Sequence, residues 1–177
     1  MKIMITGCHG QLGNELQSIL KSMKSEIGSI PEQYRGAEIC AVDIDTLDIT
    51  DTLAVTEFVK SKNPDIIINC AAMTNVDGCE TMQDVAYKVN AAGVRNLARA
   101  AKAVNAKFIH VSTDYVFAGN GTKPYTEWDI INPQSVYGAS KALGEKYALA
   151  FNDKTFIVRT SWLYGYIGKN FVKTVRR

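Results

Sequence analysis

The sequence predicts an α/β chain built on a doubly wound parallel sheet with helices on both faces. Two observations predict it. Five short apolar runs alternate with helical patterns along the chain, and a glycine-rich turn follows the first run directly and opens into an amphipathic segment. Strands separated by helices imply right-handed parallel crossovers, and in such sheets ligands gather at the carboxyl ends of the strands.

The elements follow in order. Residues 2–6 (KIMIT) are a short apolar strand, and after the turn Leu12, Leu16, Ile19, Leu20 and Met23 recur at helical spacing and form one apolar stripe. Residues 24–36 are polar, break the rhythm and read as a surface excursion. The second strand is 38–43, and a helix over 51–62, with Thr50 or Asp51 as its cap, fills the next crossover. Strand 65–70 is followed by a long alanine-rich helix over 84–104, then by strand 107–112. Residues 117–133, rich in Gly, Asn, Pro and Thr, read as a loop bordering the site, before a helix over 135–151 and a last strand at 155–159. All five strands read as buried.

At 177 residues and 46% hydrophobic content the chain suffices for one domain with a sizeable core, without disulfide or metal staples. Its 20 basic and 18 acidic side chains leave a net charge of +2, too balanced for the electrostatic footprint of a nucleic-acid binder, and Arg176 and Arg177 read as a local feature. Cys8, Cys40, Cys70 and Cys79 show no paired metal-ligand spacing, so reduced thiols are expected. With neither a signal peptide nor an apolar run near the length of a membrane span, a soluble cytoplasmic protein with no membrane partner is expected.

Two motifs carry chemistry. In Gly7-x-x-Gly10-x-x-Gly13, Gly7 permits the tight turn, Gly10 lets backbone approach a pyrophosphate, and the helix opening at Gln11 points its amide dipoles at the phosphates. Cys8 and His9 read as bystanders in this turn. Asp43, at the end of the second strand, is placed to accept hydrogen bonds from an adenosine ribose and would repel a 2′-phosphate, favouring NADH over NADPH; Asp45 in that role, or a plain turn aspartate, is the alternative. The small side chains of Asn69-Cys70-Ala71-Ala72 would let a cofactor lie close to backbone, and ordinary tight packing explains them equally well.

The second motif is Tyr137-Gly-Ala-Ser-Lys141. Such a short pair carries no weight alone, but here a four-residue separation on a helix puts both side chains on one face, after a strand ending in Ser112-Thr113-Asp114. The Lys141 ammonium is expected to lower the phenol pKa from about 10 and to bind ribose hydroxyls, while Thr113 hydrogen-bonds the substrate oxygen. A phenol acid beside a bound nicotinamide is the pairing that reduces a ketone or oxidises an alcohol.

Thr-Gly-x-x-Gly-x-x-Gly, Asn69-Cys-Ala-Ala, Asn90, Ser-Thr-Asp and Tyr-x-x-x-Lys stand in the order used by the extended short-chain dehydrogenase/reductase family, which the chain resembles over nearly its whole length. The resemblance implies a Rossmann-type fold. Within the family, the strings GQLGNELQ, PDIIINCAAMTNVDGCE, HVSTDYVFAGNG, VYGASKALGEK and RTSWLYG are similar to the dTDP-4-dehydrorhamnose reductase subgroup. That similarity implies NADPH- or NADH-dependent reduction of the 4-keto group of dTDP-4-dehydrorhamnose to dTDP-rhamnose, in the synthesis of cell-surface polysaccharide precursors.

Carried over by position, the resemblance implies cofactor contacts from Gly10, Gln11, Leu12, Asp43, Asp48, Ile49, Ala72, Met73, Thr74, Tyr137 and Lys141, and substrate contacts from Thr113, Asp114 and Trp162. Tyr137, Lys141 and Thr113 would be the catalytic group. The 4,6-dehydratases of the family carry a glutamate after Thr-Asp where this chain has Tyr115, so elimination is disfavoured. Two further readings stay open: a non-catalytic NAD(P)-binding regulatory subunit resembling the methionine adenosyltransferase beta subunit, and a nucleotide-sugar epimerase. Residues 1–177 are expected to be the dinucleotide-binding domain, with the family's smaller carboxyl-terminal substrate domain largely absent. The resemblance also implies homodimerisation in some members, with Mg²⁺ held by glutamates at the dimer contact; Glu15 matches one such position, which leaves the metal open.

Overall fold

The computed structural model describes residues 1–168 and 170–175, so Arg176 and Arg177 lie outside the described residues. Five strands, β1 (Lys2–Thr6), β4 (Glu38–Val42), β5 (Ile66–Asn69), β6 (Lys107–Thr113) and β7 (Thr155–Thr160), form one parallel sheet in the order β4-β1-β5-β6-β7. Counting only these strands in chain order, the sequence across the sheet is 2-1-3-4-5, so the winding reverses between β1 and β5. That reversal opens a crevice at the carboxyl ends of the two central strands.

The chain leaves β1 to one side through α1 (Gln11–Ser22) and thereafter moves steadily to the other side through α2 (Thr52–Lys62), α5 (Val94–Ala103) and α6 (Val136–Phe151). Right-handed crossovers therefore put α1 on one face and the other three helices on the opposite one. The three pack as a layer, α5 between α2 and α6. Their core joins Met4, Val42, Ile67 and Phe108 of the sheet to Val55, Val59, Val94, Leu97, Ala98, Ala101 and Ala148 of the helices. Each large apolar side chain buried this way contributes roughly 1.5–3 kcal/mol. The alanines explain how α5 fits so closely between its neighbours.

The face that α1 covers is only partly covered. Ile3 and Ile5 of β1 are buried, but on β7 Phe156 is 55% and Val158 48% exposed. The expectation that all five strands are buried therefore fails at β7, an edge strand whose outer face carries no helix among the described residues.

The helix expected over 84–104 is interrupted. An additional helix α3 (Val76–Thr81), capped by Asn75, precedes α4 (Gln83–Tyr87), and a π-helical segment, Lys88–Gly93, joins α4 to α5. The π segment carries Asn90 into the interior, where its side chain binds backbone outside the helix. The polar excursion over 24–36 folds as a small hairpin, β2 (Lys24–Ser25) with β3 (Gly28–Ser29), followed by a 3-10 turn at Glu32–Tyr34. A 3-10 turn, Asp114–Val116, follows β6, and a short α7 (Phe171–Val175) follows β7. Asp51, not Thr50, caps α2, its side chain accepting the amides of Leu53 and Ala54. No helix among the described residues is long and apolar enough to cross a membrane.

Candidate active site

A cleft of about 720 Å³ opens at the carboxyl ends of β1, β5 and β6. Every residue assigned from sequence to catalysis, substrate or coenzyme lines it: the turn glycines with Gln11 and Leu12, Asp43, Asp48 and Ile49, the 72–74 segment, Thr113, Asp114, Tyr137, Lys141 and Trp162; Glu15 and the alternative Asp45 do not. Residues up to 155 positions apart in the chain thus meet in one crevice, and the phenol lies on the same side of the sheet edge as the glycine turn.

The turn is built for close approach. Gly7 has φ +66°, and a Cβ there would sit 2.7 Å from the amide nitrogen of Ala71. The absence of a side chain at Gly7 is therefore what lets the turn lie against the backbone that follows β5. A Cβ at Gly13 would meet the carbonyl oxygen of Gly7 at 2.2 Å, so the first turn of α1 rests directly on the loop. Gly10 is the N-cap of α1 and supplies no side-chain cap. The amides at this helix end carry no side-chain cap and Gly10 has no Cβ, which suits a pyrophosphate.

Asp43 is pinned against this loop. Its Oδ2 accepts the His9 amide at 2.9 Å and its Oδ1 the Ile44 amide at 2.9 Å. Cys8, His9 and Asp43 bring side-chain ligand atoms within 4.8 Å of one another, although the carboxylate is already committed to two amides. Desolvation raises the Cys8 thiol pKa, with the charges of Asp43 and Asp45 adding to it. Asp48 accepts the Thr50 amide at 2.8 Å, which lowers its pKa. The four cysteines are free thiols, as expected.

On the other side of the cleft, Ser135 caps α6 by accepting the Gly138 amide, and the helix presents Tyr137 and Lys141 to the sheet. Lys141 is buried and donates from Nζ to the carbonyl of Val111 at 2.7 Å. Burial lowers its pKa to about 8, with Glu145 and then Cys70 opposing that fall. Tyr137 packs edge-on against Tyr115, with ring centroids 5.5 Å apart. Burial raises the phenol pKa; a hydrogen bond with Thr113 lowers it, and Asp114 raises it again. The expected lowering of the phenol by Lys141 is thus not what this arrangement produces, because desolvation dominates and the ammonium is turned to the strand carbonyl.

Thr113 is nearly buried at the end of β6. Its hydroxyl donates to Asp114 Oδ1 at 3.0 Å and accepts the Tyr115 amide at 3.2 Å. Trp162 follows β7 with φ +50°, is 65% exposed, and meets Phe171 edge-on with centroids 5.2 Å apart.

Several groups that hold the site were given no such role from sequence, although Asn69 and Asn90 stood among the residues of the resemblance. Asn90 accepts the Met73 amide at 2.8 Å, donates to the Met73 carbonyl at 3.0 Å and to Ser140 Oγ at 3.1 Å, tying the 73–74 segment to α6. Thr6 donates to Asn69 Oδ1 at 2.6 Å, and Asn69 Nδ2 meets His110 Nδ1 at 3.0 Å, a polar row crossing three adjacent strands in register. Burial holds His110 well below its usual pKa, so the ring is neutral. Glu145 binds Arg159 through both carboxylate oxygens, at 2.9 and 2.7 Å. Polar residues at strand ends and a carboxylate four residues after Lys141 were visible signals, but pairing between distant segments was not.

Comparison with known proteins gives a consistent picture. A family model described as the RmlD substrate binding domain matches residues 1–177. The dTDP-4-dehydrorhamnose reductase of Aggregatibacter actinomycetemcomitans is 44% identical over 176 residues, which cover 99% of this chain and 56% of that protein. A solved dTDP-4-dehydrorhamnose reductase of Clostridium acetobutylicum superposes with a TM-score of 0.91 at 49% identity, over 99% of this chain and 58% of that one. One from Bacillus anthracis, in complex with NADP, superposes with a TM-score of 0.88 at 44% identity over the same shares, 99% and 58%. The chain spans a little over half the length of these relatives.

Proposed function

The chain belongs to the RmlD substrate binding domain family, and on that ground we propose that it forms the coenzyme-binding part of an NAD(P)H-dependent dTDP-4-dehydrorhamnose reductase. The reaction would reduce the 4-keto group of the sugar to give dTDP-rhamnose, a precursor of cell-surface polysaccharide. One observation carries the reading: the glycine turn, Asp43, Thr113, Tyr137 and Lys141 line a single cleft.

The residues fit a dinucleotide. Gly7 and Gly13 let the turn close against the backbone after β5 and against α1, where any Cβ would clash, and α1 offers a helix end without a side-chain cap. Asp43 faces the loop where an adenosine ribose would sit, and Asp48, Ile49, Ala72, Met73 and Thr74 line the walls. When bound, the nicotinamide supplies the hydride that reaches C4. Tyr137 then gives its phenolic proton to the oxygen, Lys141 holds the nicotinamide ribose, and Thr113 donates a hydrogen bond to the same oxygen. Asp114 and Trp162 contact the sugar nucleotide, the indole through its face. The NADP bound by the Bacillus anthracis relative supports a nicotinamide coenzyme, and Asp43 favours the form without a 2′-phosphate. Residues 1–177 are read as the dinucleotide-binding domain of a cytoplasmic enzyme. Homodimerisation and Mg²⁺ near Glu15 rest on the resemblance alone and enter no step.

The test uses a full-length protein carrying this sequence, with NADH and NADPH absorbance followed against a panel of dTDP-4-keto sugars. Coenzyme consumption stoichiometric with the dTDP-6-deoxy-4-keto sugar supports the reading. No consumption, together with a stoichiometric partner enzyme, would favour a regulatory subunit, and tightly bound NAD⁺ with no net oxidation would favour an epimerase.

A further inference from the structure

Helix α6 carries two buried charges one turn apart. Lys141 and Glu145 are each 2% exposed, and their four-residue spacing puts them on one helix face. An ion removed from water needs a counter-charge, because a carbonyl dipole such as that of Val111 compensates only part of the lost hydration. Titratable groups face the Lys141 ammonium from every neighbouring element. Cys70 lies just after β5, its thiol pushed up to about 12 by burial. His110 comes from β6, held neutral by burial, and Tyr137 from α6 itself, its phenol raised by burial. All three are uncharged near neutral pH. Glu145 supplies the negative charge, and Arg159 of β7 grips it through two hydrogen bonds.

Arg159 has further connections. It pairs in register with Ser112, one position before the Thr113–Thr160 pair. Its guanidinium lies 5.0 Å from the centroid of Phe117, at the start of the loop between β6 and α6. Three residues later the chain reaches Trp162. The ion pair therefore joins the helix that presents Tyr137 to the strand that delivers Trp162.

We propose that Glu145 and Arg159 are a positioning pair for the site: the Glu145 carboxylate is the counter-charge of the Lys141 ammonium, and Arg159 both tempers that charge and ties β7 to α6. The proposal rests on the reading above only in treating Lys141 as a coenzyme-binding group.

The experiment follows the ¹³Cε resonance of Lys141 against pH in the wild-type chain, Glu145→Gln and Arg159→Met. Glu145→Gln keeps the shape and loses the charge, and should lower the Lys141 pKa by about one unit. Arg159→Met leaves Glu145 unscreened and should raise it. Structural loosening would admit water and raise the value in both variants, so a downward shift in Glu145→Gln cannot come from damage. The alkaline limit of NAD(P)H binding should move down with it. An unchanged or raised value in Glu145→Gln overturns the proposal. Should that variant not fold, an unchanged or lowered value in Arg159→Met does so instead. Wild-type chain that binds neither NADH nor NADPH would remove the coenzyme reading while leaving the Lys141 shifts interpretable.

Discussion

Lys141 reaches from α6 to β6 and donates a 2.7 Å hydrogen bond to the carbonyl oxygen of Val111. This contact puts a positive charge at the floor of the cleft, next to the strand end that carries Thr113, and removes it from water. The ammonium is held where a ribose could share it, at a cost to the fold.

That cost has a sign. Burial lowers the Lys141 pKa from 10.5 to about 8, so the unfolded chain binds more protons than the folded one between those two values. The contribution of Lys141 is therefore destabilising below about 8 and rises as pH increases from about 8 toward 10.5, while Cys70, its thiol raised from 9.0 to about 12, pulls total stability the other way above about 9. Replacing Lys141 by Met should stabilise the coenzyme-free protein at pH 7 by roughly 2–3 kcal/mol and flatten that rise. Urea denaturation at several pH values reads both effects, and a variant retaining the wild-type slope would contradict the assignment.

Tyr137→Phe removes the proton and keeps the ring that packs on Tyr115. In a full-length enzyme NAD(P)H affinity should stay within about threefold while turnover falls by roughly 10²-fold or more. Stopped-flow reduction with binding by fluorescence separates the two, and unchanged turnover would take the phenol out of the reaction.

Gly13→Ala places a methyl group 2.2 Å from the carbonyl oxygen of Gly7. The loop and α1 must separate, which should cost about 1–3 kcal/mol of stability and weaken NADH binding by roughly tenfold or more. Calorimetric titration checks the affinity; wild-type binding would show that the turn does not cradle the coenzyme.

Asp43→Asn removes the charge and keeps an acceptor for only one of the two backbone amides, of His9 and Ile44, that the carboxylate oxygens now take. The ratio of NADPH to NADH affinity should rise by about tenfold, roughly 1.4 kcal/mol, because a carboxylate no longer faces the 2′-phosphate. Equal changes for both coenzymes would place the adenosine ribose elsewhere.

The order of elements was legible because it follows from local signals. Alternating apolar runs gave all five sheet strands to within a residue or two, and Asp51, offered with Thr50 as the cap of α2, marked a helix start that the structure keeps. The helix expected over 84–104 was misjudged because its alanines keep a helical period through the π segment, while the reason for that segment, Asn90 turned to Met73, lies 17 residues away. The exposed face of β7 was equally invisible, since Phe156 and Val158 are as apolar as buried strand residues.

By itself the sequence determined the winding of the sheet and the chemistry of the side chains at its carboxyl edge, because hydrophobic period, glycine placement and capping act over a few residues. Only the tertiary structure decided where the charges rest: Lys141 on the Val111 carbonyl, Glu145 in the grip of Arg159, and a phenol whose pKa rises. Those outcomes depend on desolvation and on partners brought together from separate strands, and a carboxylate or an ammonium carries no local mark of how much water folding will leave around it.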